Sequence, residues 1–253
     1  MTEDERKKLH SVLYAFVENL EGFLEAELVG RKSSIAIAAA NTNLKSKALV
    51  ETLDGLKMLV KIDPSAWQHF DKFRVDMGWV FIVSMLEAVV NDTLLLLCMI
   101  HPEQFLSKHS VSVSMVARMN AHDIIHDEAE KFVVAAGKNG LLAKISLLAD
   151  RMGKPDLVTQ EEKACVLDAL KRRNEIVHRR GAKHLYKGWQ PPQGDPDLHS
   201  LEVAEAAFKF GPLVWRIYEC AVGFCGGAID EKELRISKFL NKKREYAITD
   251  AED

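Results

Sequence analysis

The most informative stretch of this sequence is Asp168-Ala-Leu-Lys-Arg-Arg-Asn-Glu-Ile-Val-His-Arg-Arg-Gly181. Thr159 is followed three residues later by Glu162, a capping-box signature that predicts the start of a helix just ahead of this stretch. Gly181 is a suitable left-handed end for the same helix. The apolar stripe expected to face the core consists of Val166, Leu167, Leu170 and Val177. The sequence therefore predicts a helix that carries a strongly basic motif beside its buried face.

Two residues of this stretch suit chemistry on phosphates, namely Arg173 and His178. An arginine keeps its charge at physiological pH and binds phosphate oxygens through paired N–H groups. A histidine accepts and donates protons near neutral pH. Asn174 and His178 are four residues apart and share a helix face, whereas Arg173 lies about 140° from His178 in projection. A joint site therefore needs either the reach of the long guanidinium or a second copy of the helix.

A local basic surface surrounds the motif. Residues 171–187 contain seven lysines and arginines and one acidic residue, Glu175, so seven minus one gives +6 in a chain of net charge −3. The predicted RNA-binding residues are Lys171, Arg172, Arg179, Arg180 and Lys183. The helix dipole favours cations near a helix C-terminus and accounts for two or three of them, but not for six.

Helical periodicity continues through most of the chain and predicts an all-α fold. Seven prolines and fourteen glycines in 253 residues favour long helices over many short strands. Helices are expected at about residues 3–28, 33–62, 67–100, 113–136, 141–152, 159–181 and 201–222, with a charged amphipathic helix from Asp230. The first of these should end at Gly30, and Asp63-Pro64 should end the second. We expect an N-terminal helical hairpin at 1–62, a helical bundle at 63–229, and a charged helix with a frayed tail at 230–253.

The segment from Met77 to Ile100 is apolar and long enough to cross a membrane. It carries Glu87, Asn91 and Asp92 near its middle, and each is costly in hydrocarbon. A central helix of a soluble bundle is therefore the better interpretation. The charged N-terminus and four scattered cysteines indicate a cytoplasmic protein with free thiols.

His122 and His126 have the four-residue spacing of metal ligands on a helix. No third ligand is evident, and a solvated helix face explains the pair better. The sequence therefore predicts no metal site and no cofactor.

The motif from Arg173 to His178 fits the pattern R-(N/D/H)-x-x-x-H, and in this the chain resembles the HEPN superfamily of small all-helical domains. Many members are metal-independent ribonucleases. The upstream run Ser84-Met-Leu-Glu-Ala-Val-Val-Asn91 is similar to a Leu-Glu followed by Asn or Asp that recurs in HEPN-like sequences. The resemblance covers about residues 70–226 and leaves the N-terminal hairpin without a counterpart. It implies a HEPN-type up-and-down helical bundle.

The resemblance also implies an active site at a homodimer interface, with arginine and histidine from both subunits. RNA would be cleaved by attack of a 2′-hydroxyl on the adjacent phosphorus. His178 would act as general base or general acid, Arg173 would hold the non-bridging oxygens, and Asn174 would orient His178 or bind the phosphate. Glu87 and Asn91 are supporting residues: either Glu87 reaches Arg173 or His178, or the two form a hydrogen-bonded core pair. The family setting of toxin–antitoxin and phage-defence systems implies a separate antitoxin or sensor protein as a partner.

Two other interpretations stay open. The first is a non-catalytic HEPN module that binds nucleotide or RNA or serves in assembly. Such members usually lack the arginine or the histidine, so the presence of both here favours the enzyme. The second is a plain helical adaptor in which the motif is a coincidence.

Overall fold

A computed structural model of the chain describes residues 1–41, 64–107, 110–111, 113–183 and 196–241. Side chains are described at 1–26, 74–107, 110–111, 115–178 and 203–241. Within these ranges the backbone forms α-helices joined by turns, and it forms no β-strand. The all-α fold is confirmed for this part of the chain.

The described ranges contain nine helices. They are α1 (Glu3–Asn41), α2 (Pro64–Ile100), α3 (Pro102–Phe105), α4 (Val113–Val116), α5 (Ala121–Gly137), α6 (Leu141–Arg151), α7 (Gln160–Lys183), α8 (Pro196–Phe224) and α9 (Glu231–Leu240). α2 begins at Pro64, because proline suits the first turn of a helix, where its missing N–H would have no partner. It continues unbroken to Ile100, so the helix expected at about 67–100 is one helix that begins three residues earlier.

The chain divides into two compact units. The motif unit comprises residues 14–91 and 159–207, and it includes the basic motif of α7. The terminal unit comprises residues 1–13, 92–158 and the chain from 208 onward. The boundaries fall inside α1, α2 and α8.

The core of the motif unit is built on α2, whose sequence is apolar on nearly every side. Its buried side chains include Ile82, Val83, Leu86, Val89 and Val90. α1 contributes Phe16, Leu20, Phe23 and Leu24, at the three- and four-residue steps expected of an amphipathic helix. Gly78 allows α2 to approach its neighbours closely, since a Cβ added at this glycine would lie 3.0 Å from the side chain of Val203 on α8.

One helical segment among the described residues, Arg74–Ile100, is long and apolar enough to cross a membrane, and half of its most apolar window is buried within the protein. Its side chain Leu86 is fully buried, whereas Asp92 is exposed. The apolar character of the segment therefore coincides with the packing of a core helix.

The predicted end of the first helix at Gly30 is wrong. α1 passes through Gly30 and the serines at 33 and 34 without a break and reaches Asn41. A glycine inside a helix costs only about 1 kcal/mol relative to alanine, and the alanine-rich residues 35–40 favour continuation. The expected turn of the hairpin is therefore absent at this position. The rest of its second helix, at 42–62, lies outside the described residues.

The single helical pattern expected at 113–136 is two helices, α4 and α5. Asn120 caps α5, because its side chain accepts a hydrogen bond from the backbone N–H of Asp123 at 2.9 Å. A residue that caps a new helix competes with continuation of the old one. The expected loop at 188–196 lies outside the described residues up to 195, and so does the expected frayed tail from 242.

All four cysteines are free thiols, as expected. Cys98 and Cys225 are buried, and burial raises the pKa of Cys98 to about 12 and that of Cys225 to about 11. Cys98 and Cys225 are therefore protonated and unreactive at neutral pH.

A buried carboxylate ties three helices of the terminal unit together. The side chain of Glu233 on α9 is 0% exposed. Arg6 of α1 donates a hydrogen bond to its Oε2 at 2.9 Å, and the Nε2 atom of His10 lies 2.6 Å from Oε1. The hydroxyl of Tyr218 on α8 donates to Oε1, and the backbone N–H of Asp230 donates to Oε2 at 2.6 Å. We call this group of five residues the Glu233 cluster.

The contacts of the Glu233 cluster compensate the cost of burying a charge. Burial by itself would raise the pKa of the Glu233 carboxyl, but hydrogen bonds from Tyr218, Asp230 and Arg6 outweigh it and hold this pKa below its usual value. The same contacts raise the pKa of Arg6. A carboxyl with a lower pKa in the folded chain stabilises the fold above its unfolded pKa, and this contribution is lost as the pH falls through the folded pKa.

We predict that Glu233→Gln lowers the free energy of unfolding at pH 7 by about 2 to 4 kcal/mol, since it leaves Arg6 without its buried counter-charge. The difference from the wild type should shrink as the pH falls through the lowered pKa of Glu233, because Glu233 itself then becomes protonated. Urea unfolding between pH 3 and pH 7 measures both effects. Glu231→Gln is the matched control, because Glu231 is exposed in the first turn of the same helix and should change stability by less than about 1 kcal/mol. Equal effects of the two variants would contradict the prediction.

Candidate active site

The motif helix α7 starts where the sequence predicts. The backbone N–H of Thr159 donates to Glu162 Oε2 at 2.9 Å, and the backbone N–H of Glu162 donates to the Thr159 hydroxyl at 3.2 Å. This reciprocal pair is the expected capping box, and it satisfies N–H groups that the first turn of a helix leaves unpaired. α7 extends two residues past Gly181, to Lys183.

The buried face of α7 differs from the predicted stripe. Val166 and Ala169 are buried and Leu170 is half-buried, whereas Leu167 and Val177 are 56% and 53% exposed. The prediction that Leu167 and Val177 face the core is therefore wrong. Leu167 follows the buried Val166 by about 100° around the helix, which turns its side chain towards solvent. A stripe read from apolar residues alone does not reveal which of two neighbouring apolar faces is covered.

Arg173 and Glu87 meet at the edge of this buried face. Arg173 Nη1 donates to Glu87 Oε1 at 2.7 Å, and the two side chains are 22% and 33% exposed. The pair joins α7 to α2, the core helix of the motif unit. Of the two interpretations of Glu87, the structure has the one in which this carboxylate contacts Arg173.

Arg172 is held by one contact on α7 and one on α2. Its Nε donates to Asp168 Oδ2 at 2.9 Å, one turn earlier on α7. Its guanidinium carbon lies 4.6 Å from the centre of the Trp79 ring on α2, within the range of a cation–π contact. Both arginines of the motif are therefore fixed by contacts with α2.

Asn174 and His178 lie on the exposed face of α7. Asn174 Oδ1 accepts a long hydrogen bond of 3.4 Å from Arg173 Nε. His178 is five residues after Arg173, so the two positions are about 7.5 Å apart along the helix and about 140° apart around it. Among the described side chains, no hydrogen bond or ion pair joins His178 to Arg173, Asn174 or Glu87. One chain thus brings Glu87, Arg173 and Asn174 together and leaves His178 apart.

The remaining predicted site residues are distributed as follows. Asn91 is half-buried, one helical turn after Glu87 on α2, and Lys171 is exposed on α7. Arg179, Arg180 and Lys183 belong to the backbone of α7, but their side chains lie outside the described residues.

The described residues include no group of three or more His, Cys, Asp or Glu side chains placed to hold a metal ion. His122 is exposed and lies 3.6 Å from Asp123. His126 lies 3.8 Å from Glu130 on the same helix. Both histidines thus lie beside carboxylates of their own helix, at distances longer than a close ion pair.

The contacts of Arg172 with Asp168 and Trp79 were not predicted from the sequence. The spacing of Asp168 and Arg172 is a usual ion-pair spacing on a helix, so the sequence did contain that signal. Trp79 is 93 residues away from Arg172 along the chain, and no local pattern links them. The Glu233 cluster was missed for the same reason, because its members come from both ends of the chain.

Comparisons with protein-family models, with curated proteins and with solved structures found no match for this chain.

We predict that the Arg173–Glu87 pair couples more strongly than the Arg172–Asp168 pair. A double-mutant cycle of Glu87→Gln and Arg173→Gln should give a coupling energy of about 1 to 2 kcal/mol, because the pair is partly buried and joins two helices. The matched cycle of Asp168→Asn and Arg172→Gln should give about 0.5 kcal/mol or less, since this pair lies within one helix and is more exposed. Chemical denaturation measures both, and equal couplings would refute the ranking.

Proposed function

We propose that this chain is a metal-independent endoribonuclease that acts as a symmetric homodimer. The observation that carries the proposal is the position of Arg173, which Glu87 fixes at the edge of the buried face of α7. A fixed guanidinium meets a developing negative charge without having to reorganise, which is the condition for electrostatic stabilisation of a transition state. The exposed His178, in the same part of the helix, supplies a group that transfers protons near neutral pH.

The proposed reaction is an attack of a ribose 2′-hydroxyl on the adjacent phosphorus. A base removes the 2′ proton as the bond between the 2′-oxygen and phosphorus forms. The bond from phosphorus to the 5′-oxygen breaks, and an acid protonates that oxygen. The products are a 2′,3′-cyclic phosphate and a 5′-hydroxyl. The 2′-hydroxyl loses one proton to the base and the 5′-oxygen gains one from the acid, so the reaction balances. Histidine suits both steps, and Arg173 suits the charge that grows on the non-bridging oxygens.

The exposed face of α7 supports the proposal of a homodimer. Leu167, Lys171, Asn174 and His178 follow one another at four- and three-residue steps, so they form one stripe along the helix. Leu167 exposes apolar surface on this side, whereas Val177 is exposed in the direction of Val166, about 80° from Leu167 around the helix. A second copy of α7, related by a two-fold axis, would cover that surface and bring His178 of the partner subunit towards Arg173. Such an arrangement would overcome the separation of Arg173 and His178 within one chain.

The alternative function is a non-catalytic HEPN-type module that binds RNA or nucleotide or serves in assembly. The pairing of Arg173 with Glu87 favours it, because a carboxylate at 2.7 Å reduces the net charge offered to a phosphate. In the enzyme, Glu87 instead orients the guanidinium and leaves its other edge for the substrate. The two functions differ in whether RNA is cut or only bound.

The proposed setting is a toxin–antitoxin or phage-defence system in the cytoplasm, with a separate antitoxin or sensor protein. The family resemblance alone supports this setting.

We predict that purified protein cleaves total RNA or tRNA in the presence of EDTA and that Arg173→Ala and His178→Ala each slow cleavage by about 100-fold or more. Loss of a proton-transfer group or of a transition-state donor has effects of this order. Gel analysis of 5′-labelled RNA measures the rate and identifies the 2′,3′-cyclic phosphate ends.

His122→Ala is the matched control, since His122 is an exposed histidine on another helix and should leave cleavage unchanged. Cleavage by Arg173→Ala and His178→Ala at the wild-type rate would refute the assignment of the site. Activity that EDTA abolishes and Mg²⁺ restores would refute the metal-independent mechanism. Binding without cleavage would favour the alternative function.

We predict that Leu167→Glu converts the dimer into monomers, because it introduces a charge into the apolar surface that a second α7 should cover. Sedimentation equilibrium measures the mass in solution. Val134→Glu is the matched control, because Val134 is an exposed valine on α5, 69% accessible, and should not affect assembly. A wild-type protein that is monomeric at all concentrations, or a Leu167→Glu variant that stays dimeric, would contradict the proposed interface.

A further inference from the structure

Arg172 is constrained differently from the other cations of α7. Trp79, on which it lies, is only 5% exposed, so the indole is fixed by the core and cannot move outwards to stack on a ligand. One face of the guanidinium lies against this ring, and Nε is engaged by Asp168 at 2.9 Å. The side chain is nevertheless 35% exposed. An arginine held in this way presents its charge to solvent in a defined orientation and loses little conformational entropy on binding.

The place that Arg172 occupies is distinct from that of Arg173. Their anchors on α2, Trp79 and Glu87, are eight residues apart, which is about 12 Å along the helix axis. The two arginines are neighbours in sequence, so their side chains leave α7 about 100° apart and reach different turns of α2. A phosphate held at Arg173 is therefore not the phosphate that Arg172 reaches.

We infer that Arg172, positioned by Trp79, binds a second phosphate of the RNA, away from the bond that is cut. This inference rests on the proposed function for its ligand. Arg172 contacts the substrate but takes no part in proton transfer, and Trp79 acts only through Arg172. The site recognises the phosphodiester backbone of a single strand and carries no preference for a base, because the indole is not available for stacking.

Asp168 competes with the phosphate in this arrangement. Its carboxylate is more than half exposed and approaches the guanidinium at the Nε edge, which a phosphate oxygen would also use. A solvent-exposed pair within one helix is weak, so a phosphate can take the place of Asp168. Removal of this carboxylate should therefore strengthen binding, whereas a purely structural ion pair would give no gain.

The test uses RNA with 2′-O-methyl groups at every ribose, which cannot be cleaved, and measures its dissociation constant by fluorescence anisotropy at several salt concentrations. Arg172→Ala should weaken binding about 5- to 10-fold and reduce the slope of log affinity against log salt by about 0.7, the value for one phosphate contact on a single strand. The RNA affinity of Arg172→Lys should fall between those of the wild type and Arg172→Ala, because lysine keeps the charge and loses the planar contact with Trp79. Asp168→Asn should tighten binding about 2-fold by removing the competing charge.

Trp79→Phe distinguishes a positioned arginine from a general basic surface. It keeps an aromatic ring in the core but weakens the cation–π contact, so binding should weaken about 3-fold. In a chain that already carries Arg172→Ala, the same change should have no further effect on binding. Thermal unfolding of each variant checks that the fold is retained. A Trp79→Phe effect of equal size in both backgrounds would show that Trp79 does not act through Arg172 and would overturn the inference.

The outcomes separate this inference from the proposed function. If the wild type binds RNA and Arg172→Ala binds equally well, the second phosphate site is wrong and the nuclease is unaffected. If binding depends on Arg172 while no variant cleaves RNA, the site stands and the nuclease falls. If the wild type does not bind RNA at all, both fail.

Discussion

The contact between Arg173 and Glu87 is the constraint on which the rest of the candidate site depends. It fixes the rotation of α7 against α2, because an arginine at the edge of the buried face must place its guanidinium where the carboxylate lies. Once this rotation is set, helix geometry puts Asn174 and His178 on the exposed face and gives them no partner within the core. The same rotation leaves Leu167 and Val177 in solvent. A single ion pair thus fixes which side of α7 packs on α2 and which side is exposed.

This division of α7 changes the meaning of its apolar residues. Beside a basic motif, the apolar side chains at 166, 167, 170 and 177 suggest one broad core-facing stripe, but only part of that stripe is buried. Val166 packs inside the motif unit together with Ala169, while Leu167 and Val177 are more than half exposed. Exposed apolar surface beside a polar site is typical of a surface that another molecule covers. The residues that conflict with a simple amphipathic pattern are therefore the ones that carry information on assembly.

Features that depend on nearest neighbours were predictable from the sequence. The capping box at Thr159 follows from local chemistry, and so does the helical periodicity of α1, whereas Asp63-Pro64 was expected as a break and Pro64 is instead the first residue of α2. The end expected at Gly30 was not reached, because the cost of one glycine is small beside the helix preference of the alanines that follow. Contacts between distant residues had no local signal. The carboxylate of Glu87 was an expected partner only because the family resemblance drew attention to it, and neither Trp79 nor the Glu233 cluster could be found in that way.

The Arg6–Glu233 pair and the Arg173–Glu87 pair differ in a way that separates structure from function. Glu233 is wholly buried, and its oxygens are engaged by Arg6, Tyr218 and the backbone of Asp230, so no substrate can reach it. A buried charge of this kind is retained because its removal leaves other groups without partners. Glu87 and Arg173 are less completely buried, and the motif around them continues onto an exposed face. Stability alone would favour completing the burial of such a pair or replacing it by apolar side chains. Partial exposure of a fixed guanidinium is instead what binding of an anion requires, and it is the physical reason to look for chemistry on α7 and not at the Glu233 cluster.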